Sequence, residues 1–498
     1  MILATSETRR LRLAGAATAV RVGVFAAAFG ALLAAAATHV AGNAAPEVIL
    51  AVAVAPALLL AVMAWPLLGV LLVLVVLPVG SVHIPTPGIS LQTVEVIVIV
   101  SAALVAIQRM ARGLRPLEGA GAMWWSVALF GWVLVATPSA VDLTLALKQV
   151  AVLFLGIVWA LVVLTAVEDV DDVRRMLGVL VAIGAGIALT SLASGVRFQT
   201  SFGAETVSGR LQGAFDHPNQ LGGFSVICAA IAAGLAFGAR TRFGRLASAA
   251  AVPVILASLL LTLSRGAWIG AGLAFLYLVF ALPEARRALL AVGIPVVIVA
   301  ALVGSFAPGQ TDIKIIGQRA RVLTTLSPYD QRHAIYAEAA REVKANPLIG
   351  VGPGGFPVAS ERADSEAATV YAEHAHDLWL TWAAEAGIPA VALIAAFVVA
   401  LSIGARRAAR AASALGSKRD RAVLAGLVAA LIAVLGQGIF DYLLRNAVLF
   451  MTVWGLIGAL LVCIRVYDGS SVEPRRSRQR AVARVPAPGG PTSRSGTP

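Results

Sequence analysis

Charge is scarce in this sequence. Only 13% of its 498 residues are charged, against about 25% in soluble domains. A chain of this length therefore lacks the polar side chains to cover two or three water-facing domains. Cysteine is almost missing too. Cys228 and Cys463 both sit inside apolar runs, which excludes a disulfide framework and a thiolate metal site. A Walker-type loop, or any other nucleotide signature, is also lacking. What dominates instead is apolar: 59% of the residues are hydrophobic. The class that remains is a polytopic integral membrane protein, an all-α helix bundle whose exterior is solvated by lipid.

A spanning helix needs about 20 mostly apolar residues, and the sequence offers such stretches near 20–40, 48–65, 66–82, 91–108, 122–137, 148–167, 176–194, 219–238, 246–263, 266–282, 288–306, 378–403, 422–440 and 446–464. That predicts about 14 transmembrane helices. Trp65-Pro66 breaks the uncharged stretch 48–82 into a hairpin. The division along the chain is a cytoplasmic segment 1–19, N-terminal spans over 20–194, and a core over 195–464. This core includes one long outer loop at 307–377, and a basic tail follows over 465–498. The first span has a signal-like start, but its length fits a retained anchor. The tail, rich in Arg, Ser, Pro and Gly, reads as disordered.

The net charge of +13 acquires meaning from its placement. With the N-terminus inside, most of the 39 basic residues fall in cytoplasmic segments, including Arg9, Arg109, Arg174, Arg240, Arg286, the 404–421 loop and the tail. This is the positive-inside pattern with both termini cytoplasmic. The basic residues thus set topology and touch anionic lipid, and nucleic acid is excluded as a partner.

Polar residues gather on the opposite, outer side, where function concentrates. In the 195–218 loop lie Arg210 and the turn Asp216-His217-Pro218-Asn219, with Asn219 placed to start a helix. Ser264-Arg265-Gly266 carries the single charge of an apolar hairpin, an arginine on the side where the charge rule disfavours it. That position favours anion binding over simple snorkelling. In the long loop, Tyr329 to Ala345 has helical spacing after Ser327-Pro328 and stops at Asn346-Pro347. Such a helix can lie on the membrane with Arg332, Arg341 and Lys344 near head groups. The glycine-rich run Gly350 to Phe356 follows and permits close backbone approach.

Glu373-His374-Ala375-His376-Asp377 opens the next span. A metal site lacks a clear third and fourth ligand there, capping is a second reading, and acid–base chemistry is the favoured one. A histidine in a helix's first turn meets the positive end of the dipole, which keeps it available as a base, while Asp377 and Glu373 push the other way. Glu385, two turns further into the span, is expected to pair, by default with an arginine. Asp441 and Arg445 sit at the outer end of the last hairpin.

Taken in order, these residues resemble the O-antigen ligase and O-antigen polymerase superfamily of bacterial membrane glycosyltransferases. The resemblance runs over roughly 200–460, through Gly209-Arg210-Leu211, Phe215, His217-Pro218-Asn219, Leu263-Ser264-Arg265-Gly266, Arg332, and Asn346 to Phe356. It ends on His376 with Gly387 ten residues after Asp377. Asp377 stands where the ligase pattern has an amide, and Ala390 where it has its last glycine, so ligase and polymerase both stay open.

The resemblance implies a glycan donor on an undecaprenyl pyrophosphate carrier, an acceptor hydroxyl on a glycan or lipid, and transfer at the outer face of the cytoplasmic membrane. It implies His376 as the base and Arg210, Arg265 and Arg332 as binders of the pyrophosphate, supported by His217, Asn219, His374, Glu385 and Asp441. It implies no metal and no cofactor. Two other readings compete. A shape-and-division-type peptidoglycan polymerase would depend on a loop carboxylate, Asp312, Asp330 or Asp364. A secondary transporter would show inverted repeats and mid-membrane charges, and neither is evident.

Overall fold

The computed structural model describes residues 65–77, 98–106, 120–202, 205–290, 331–365 and 372–467, together with Val62 and two short strands at 83–84 and 91–92. The spans expected near 20–40, 48–65 and 288–306, and the basic tail, lie outside these residues.

Seven helices among the described residues are long and apolar enough to cross a membrane. Numbering in chain order the helices used below, α1 is Pro66–Val76, α2 Met123–Ala136, α3 Leu143–Ala166, α4 Val170–Ser194, α5 Pro218–Gly238, α6 Arg242–Leu261, α7 Arg265–Ala281, α8 Arg332–Ala345, α9 Phe356–Glu361, α10 Leu378–Ala414, α11 Lys418–Gly438 and α12 Ala447–Tyr467. The long ones are α3 to α6 and α10 to α12, while α1, α2 and α7 are shorter apolar helices. Helix starts follow local chemistry. Pro66 takes the first position of α1, where its missing N–H is no loss. Asp142, Asp169, Thr241 and Asp377 accept hydrogen bonds from the first-turn amides of α3, α4, α6 and α10.

The packing is centred on α5, which lies against α6 and α11, while α7 lies along α11 and α12 along α3. Helices α5 and α12 are buried on nearly every face, as a sequence hydrophobic all round requires. Small residues let the backbones meet. A Cβ added to Gly234 of α5 would lie 2.6 Å from the Gly426 Cα of α11, and one on Gly270 of α7 would lie 2.6 Å from the Ala433 carbonyl. At the end of the bundle where α4 and α11 begin, buried Arg174 ties three elements together. It donates from Nε to the Gly238 carbonyl at 2.9 Å and pairs with Asp171 and Asp420. Arg465 donates to the carbonyls of Leu164 and Val167 at 2.6 and 2.8 Å.

Three expectations change. Residues 195–218 are not simply a loop. Arg197–Phe202 (β3) pairs antiparallel with Glu205–Leu211 (β4), and a two-residue pair, His83–Ile84 (β1) with Leu91–Gln92 (β2), lies earlier in the chain. The polar–apolar–polar alternation of Thr206, Val207 and Ser208, with the β-branched Thr206 and Val207, carries that period-2 signal, so the helical bundle is decorated by small hairpins. The span expected at 378–403 runs on to Ala414, so Arg406, Arg407 and Arg410 belong to the helix rather than to a 404–421 loop. The helix expected over 329–345 is found as α8, but its apolar face is not left for lipid. Ile335 and Ala339 are buried against Phe356, Ala372, Ala375 and Ala384.

Helix α10 is interrupted at Gly387 (φ 79°, ψ 174°), and the Asn346–Phe356 segment fills the interruption. The Val351 amide donates to the Ala384 carbonyl (2.8 Å), the Ile388 amide to the Pro347 carbonyl (2.8 Å), and Trp132 Nε1 of α2 to the Ala386 carbonyl (2.9 Å). Polar backbone freed inside a membrane-spanning element is tolerated when it is satisfied in this way. The glycines of this segment thus approach protein backbone rather than a ligand. A Cβ at Gly350 would lie 2.4 Å from the Ala384 carbonyl oxygen, and one at Gly387 would lie 1.9 Å from the Leu348 carbonyl oxygen. Gly387→Ala is therefore expected to cost about 1–3 kcal/mol from its left-handed backbone alone, with the clash in addition. Gly272→Ala on α7, with nothing within 4 Å, serves as the control. Thermal unfolding in detergent checks this, with a clear loss in Tm for the first variant and little change for the second.

Candidate functional site

The ends of α5 and α10, the start of α7 and the connection between α11 and α12 meet at one end of the bundle. Here Arg210, Asn219, Thr262, Ser264, Gln437 and Asp441 are buried together, and Asp441 is their centre. This carboxylate, 7% exposed, sits just past α11. Its Oδ1 receives His374 Nε2 and His376 Nδ1, each at 3.1 Å, and the Tyr442 amide at 3.0 Å. Its Oδ2 receives Asn219 Nδ2 at 2.6 Å. Burial alone would raise the Asp441 pKa, but the hydrogen bonds from His374 and His376 outweigh it and hold the group well below the usual carboxylate range. Asp441 is therefore an anion at neutral pH.

Asn219 links this carboxylate to an arginine. Its side-chain oxygen accepts from Arg210, whose Nε donates to the Thr262 carbonyl at 2.9 Å. Its own carbonyl accepts from Gln437 Nε2 of α11 at 3.1 Å. The turn Thr262-Leu263-Ser264 that holds Arg210 leads directly into Arg265, the first residue of α7, and Gly266 beside it lies against Phe440 and Gln437. His217 caps α5, with its Nδ1 accepting from the Asn219 amide at 3.1 Å. Burial, then the Arg210 charge, pushes His217 down to about 4, with His376 and Arg332 acting in the same direction. Arg332 opens α8, and this helix is tied to the histidine turn by Tyr336 Oη donating to the His376 carbonyl at 3.3 Å.

The two histidines differ. The side chain of His374 is 14% exposed and that of His376 28%, so His376 is the one a substrate reaches more readily. Burial lowers the His374 pKa against the opposing pull of Asp441. A carboxylate only accepts, so neutral His376 carries its proton on Nδ1 and leaves Nε2 a lone pair. His376 also holds a left-handed backbone (φ 49°), as does Leu263 (φ 54°). They are the two non-glycine residues with positive φ among the described residues, and both lie in the turns that frame this cluster. Such strain persists only where its surroundings impose it.

Arg210, His217, Asn219, His374, His376 and Asp441 thus form one hydrogen-bonded and electrostatic group, with Arg265 and Arg332 opening the two helices beside it. Glu385 stands apart. The arginine partner that its sequence position suggests is replaced by the Gly354 amide, which donates to Glu385 Oε2 at 2.9 Å, so this carboxylate holds the glycine segment against α10. Arg445 bonds the Glu373 carbonyl. Asp312 and Asp330 lie outside the described residues, and Asp364 is exposed beyond α9. Sequence reasoning missed Gln437, Thr262 and Tyr336. The amide of Gln437 inside an apolar span was the signal for the first, while a backbone acceptor such as Thr262 leaves none.

Residues 249–395 match the O-antigen ligase family. The chain carries an O-antigen ligase-family domain. The match covers less than a third of the chain but takes in Arg265, Arg332, the two histidines and Glu385. Arg210, Asn219 and Asp441 lie outside the matched residues and are joined to the histidines by the contacts above. No individual curated protein matches the chain. Nε2 of His374, Nδ1 of His376 and an Asp441 oxygen lie within 4.8 Å of one another, a spacing that a metal ion could use. Arg210 and Arg332 both act electrostatically on His217 beside this cluster, and Asp441 accepts from donors on both of its oxygens.

Proposed function

We propose that this membrane protein transfers or polymerises a glycan from an undecaprenyl pyrophosphate carrier onto an acceptor hydroxyl, at the outer face of the cytoplasmic membrane, without a metal or cofactor. The observation that carries this reading is the juxtaposition of an anion-anchored imidazole, His376 on Asp441, with a guanidinium, Arg210, bound through Asn219 to the same carboxylate. His376 Nε2 takes the proton as the acceptor oxygen attacks the anomeric carbon. The bond from that carbon to the phosphate oxygen breaks, and the leaving pyrophosphate gains negative charge. Arg210, Arg265 and Arg332 stabilise that charge, which is where preorganised donors act most strongly. Glycan and lipid acceptors both suit this chemistry. The positive-inside pattern supports both termini in the cytoplasm and this end of the bundle outside.

An apolar groove beside the site supports a prenyl tail on the donor. A cavity of about 160 Å³ runs between α10, α11 and α12, from Leu378, Trp382 and Leu444 at the site end to Leu401, Ser402, Ala405 and Leu460 at depth. Leu378 follows Asp377 directly, and Leu378 to Ala405 covers roughly 40 Å of helix at 1.5 Å per residue. That length matches a long prenyl chain entering an apolar core about 30 Å thick. Ser402→Trp is expected to raise KM for a long-chain donor several-fold and leave a short-prenyl donor unchanged. Equal effects on both donors would remove the tail from this groove.

Arg265→Lys is expected to lower turnover strongly, because an ammonium cannot reproduce the planar two-pronged contact to phosphate. Near-wild-type turnover would make Arg265 an anchor only. The reading as a whole is tested in a deletion strain by gel analysis of lipid A and of secreted polysaccharide. Loss of decoration with intact carrier-linked chains indicates a ligase and single-unit products a polymerase, while unchanged glycans would sink the proposal.

A further inference from the structure

Two imidazoles share one carboxylate oxygen here, and the reaction described above uses only one of them. His374 Nε2 and His376 Nδ1 both lie 3.1 Å from Asp441 Oδ1, with ring centroids 4.5 Å apart. His374 is packed edge-on against Tyr442 at 5.8 Å. Its Nδ1 is buried and has no hydrogen-bond partner among the described residues. A protonated imidazole there would bury a donor with nothing to receive it, at a substantial cost. Neutral His374 avoids this, with its hydrogen on Nε2 aimed at Asp441 and a bare lone pair on Nδ1.

We propose that His374 is a positioning residue that sets the basicity of His376 through their shared carboxylate, an inference that rests on His376 being the base. By donating to Oδ1, His374 takes up part of the carboxylate's charge and fixes which lone pair His376 meets. Without it, Asp441 would hold the His376 proton more strongly. The base would then stay protonated to higher pH, since an anion that loses a competing donor favours the neighbouring cation more. The other groups bearing on the pair are known. Asp377 and Glu373 lie on their own segment, Arg445 and Tyr442 on the α11–α12 connection, His217 and Arg210 on the α5 side, and Arg332 and Tyr336 on α8. Asp441 is the anion at the centre of these groups, and His374 is the second imidazole donor on the oxygen that His376 meets.

The test is the pH dependence of kcat/KM for transfer from a lipid-linked donor, measured on the full chain in lipid nanodiscs. His374→Phe is expected to move the acid limb upward by about one pH unit. His374→Gln, whose amide nitrogen reaches where Nε2 stands, is expected to keep the limb at its wild-type position. An unmoved limb in His374→Phe, or an equal shift in both variants, would overturn the proposal. If the phenylalanine variant does not insert, His374→Asn replaces it: its shorter amide does not reach Oδ1, and the same two outcomes decide. A wild-type protein that transfers no glycan would instead refute the parent reading, so the two failures are distinct.

Discussion

Replacing His376 with alanine is expected to abolish glycan transfer while the protein remains in the membrane. The side chain is partly exposed and contributes to packing mainly through its Asp441 contact, so folding is not expected to depend on it. Chemically it is the more exposed of the two imidazoles on Asp441, while His217 uses Nδ1 on the α5 cap and is held down to about 4 by burial and the nearby arginine. General-base catalysis contributes on the order of 10²–10⁴-fold, and the loss should fall on kcat rather than on KM, because the proton moves only in the transition state. Donor-to-acceptor transfer by the purified variant, compared with its recovery from membranes, measures this. Normal product would remove His376 from the chemistry.

Asp441→Asn is the second large effect, and it arises from hydrogen-bond direction. Asp441 accepts on both oxygens, from two imidazoles and an amide on one and from Asn219 Nδ2 on the other. An asparagine must turn its NH2 toward one of these groups, so donor faces donor whichever way it is placed. Facing Asn219, it breaks the link to Arg210. Facing the histidines, it turns His376 to the wrong tautomer. A fall on the order of 10²–10⁴-fold in kcat is expected, with the bundle intact because α5 and α11 also pack through Gly234 and Gly426. Turnover within a few-fold of wild type would show that Asp441 merely caps the hairpin.

Much of this was legible in the sequence. The membrane class follows from composition, and α3 to α6, α11 and α12 coincide with apolar runs because lipid imposes a length on each. His376, Arg210, Arg265 and Arg332 were visible as polar residues set against apolar spans. What the sequence conceals is convergence. Asp441 lies 65 residues from His376 and 222 from Asn219, so its role as the shared acceptor exists only once α5, α10 and α11 pack. The glycine-rich run shows the reverse failure. Its glycines signal a close approach, but whether to ligand or to backbone depends on the interruption at Gly387, and that is legible only as Gly387 and Pro389 within an apolar run. The extension of α10 to Ala414 escaped for another reason. Alanine and arginine are strong helix formers, and hydropathy is blind to a helix that leaves the apolar layer.

Helices α5 and α11 approach closely over much of their length, from Gly234 beside Gly426 to Gly223 beside the Gln437 side chain. Each carries one half of the guanidinium-to-carboxylate link, Asn219 in the first turn of α5 and Asp441 just past α11. A bulky residue at Gly234 would part the two helices, and a protein with every reactive group intact would behave as if one had been deleted. Loss-of-function substitutions in this protein should therefore fall into two clusters, one among the reacting groups and one along this glycine-lined seam, some 20 Å away along the helix axis at Gly234.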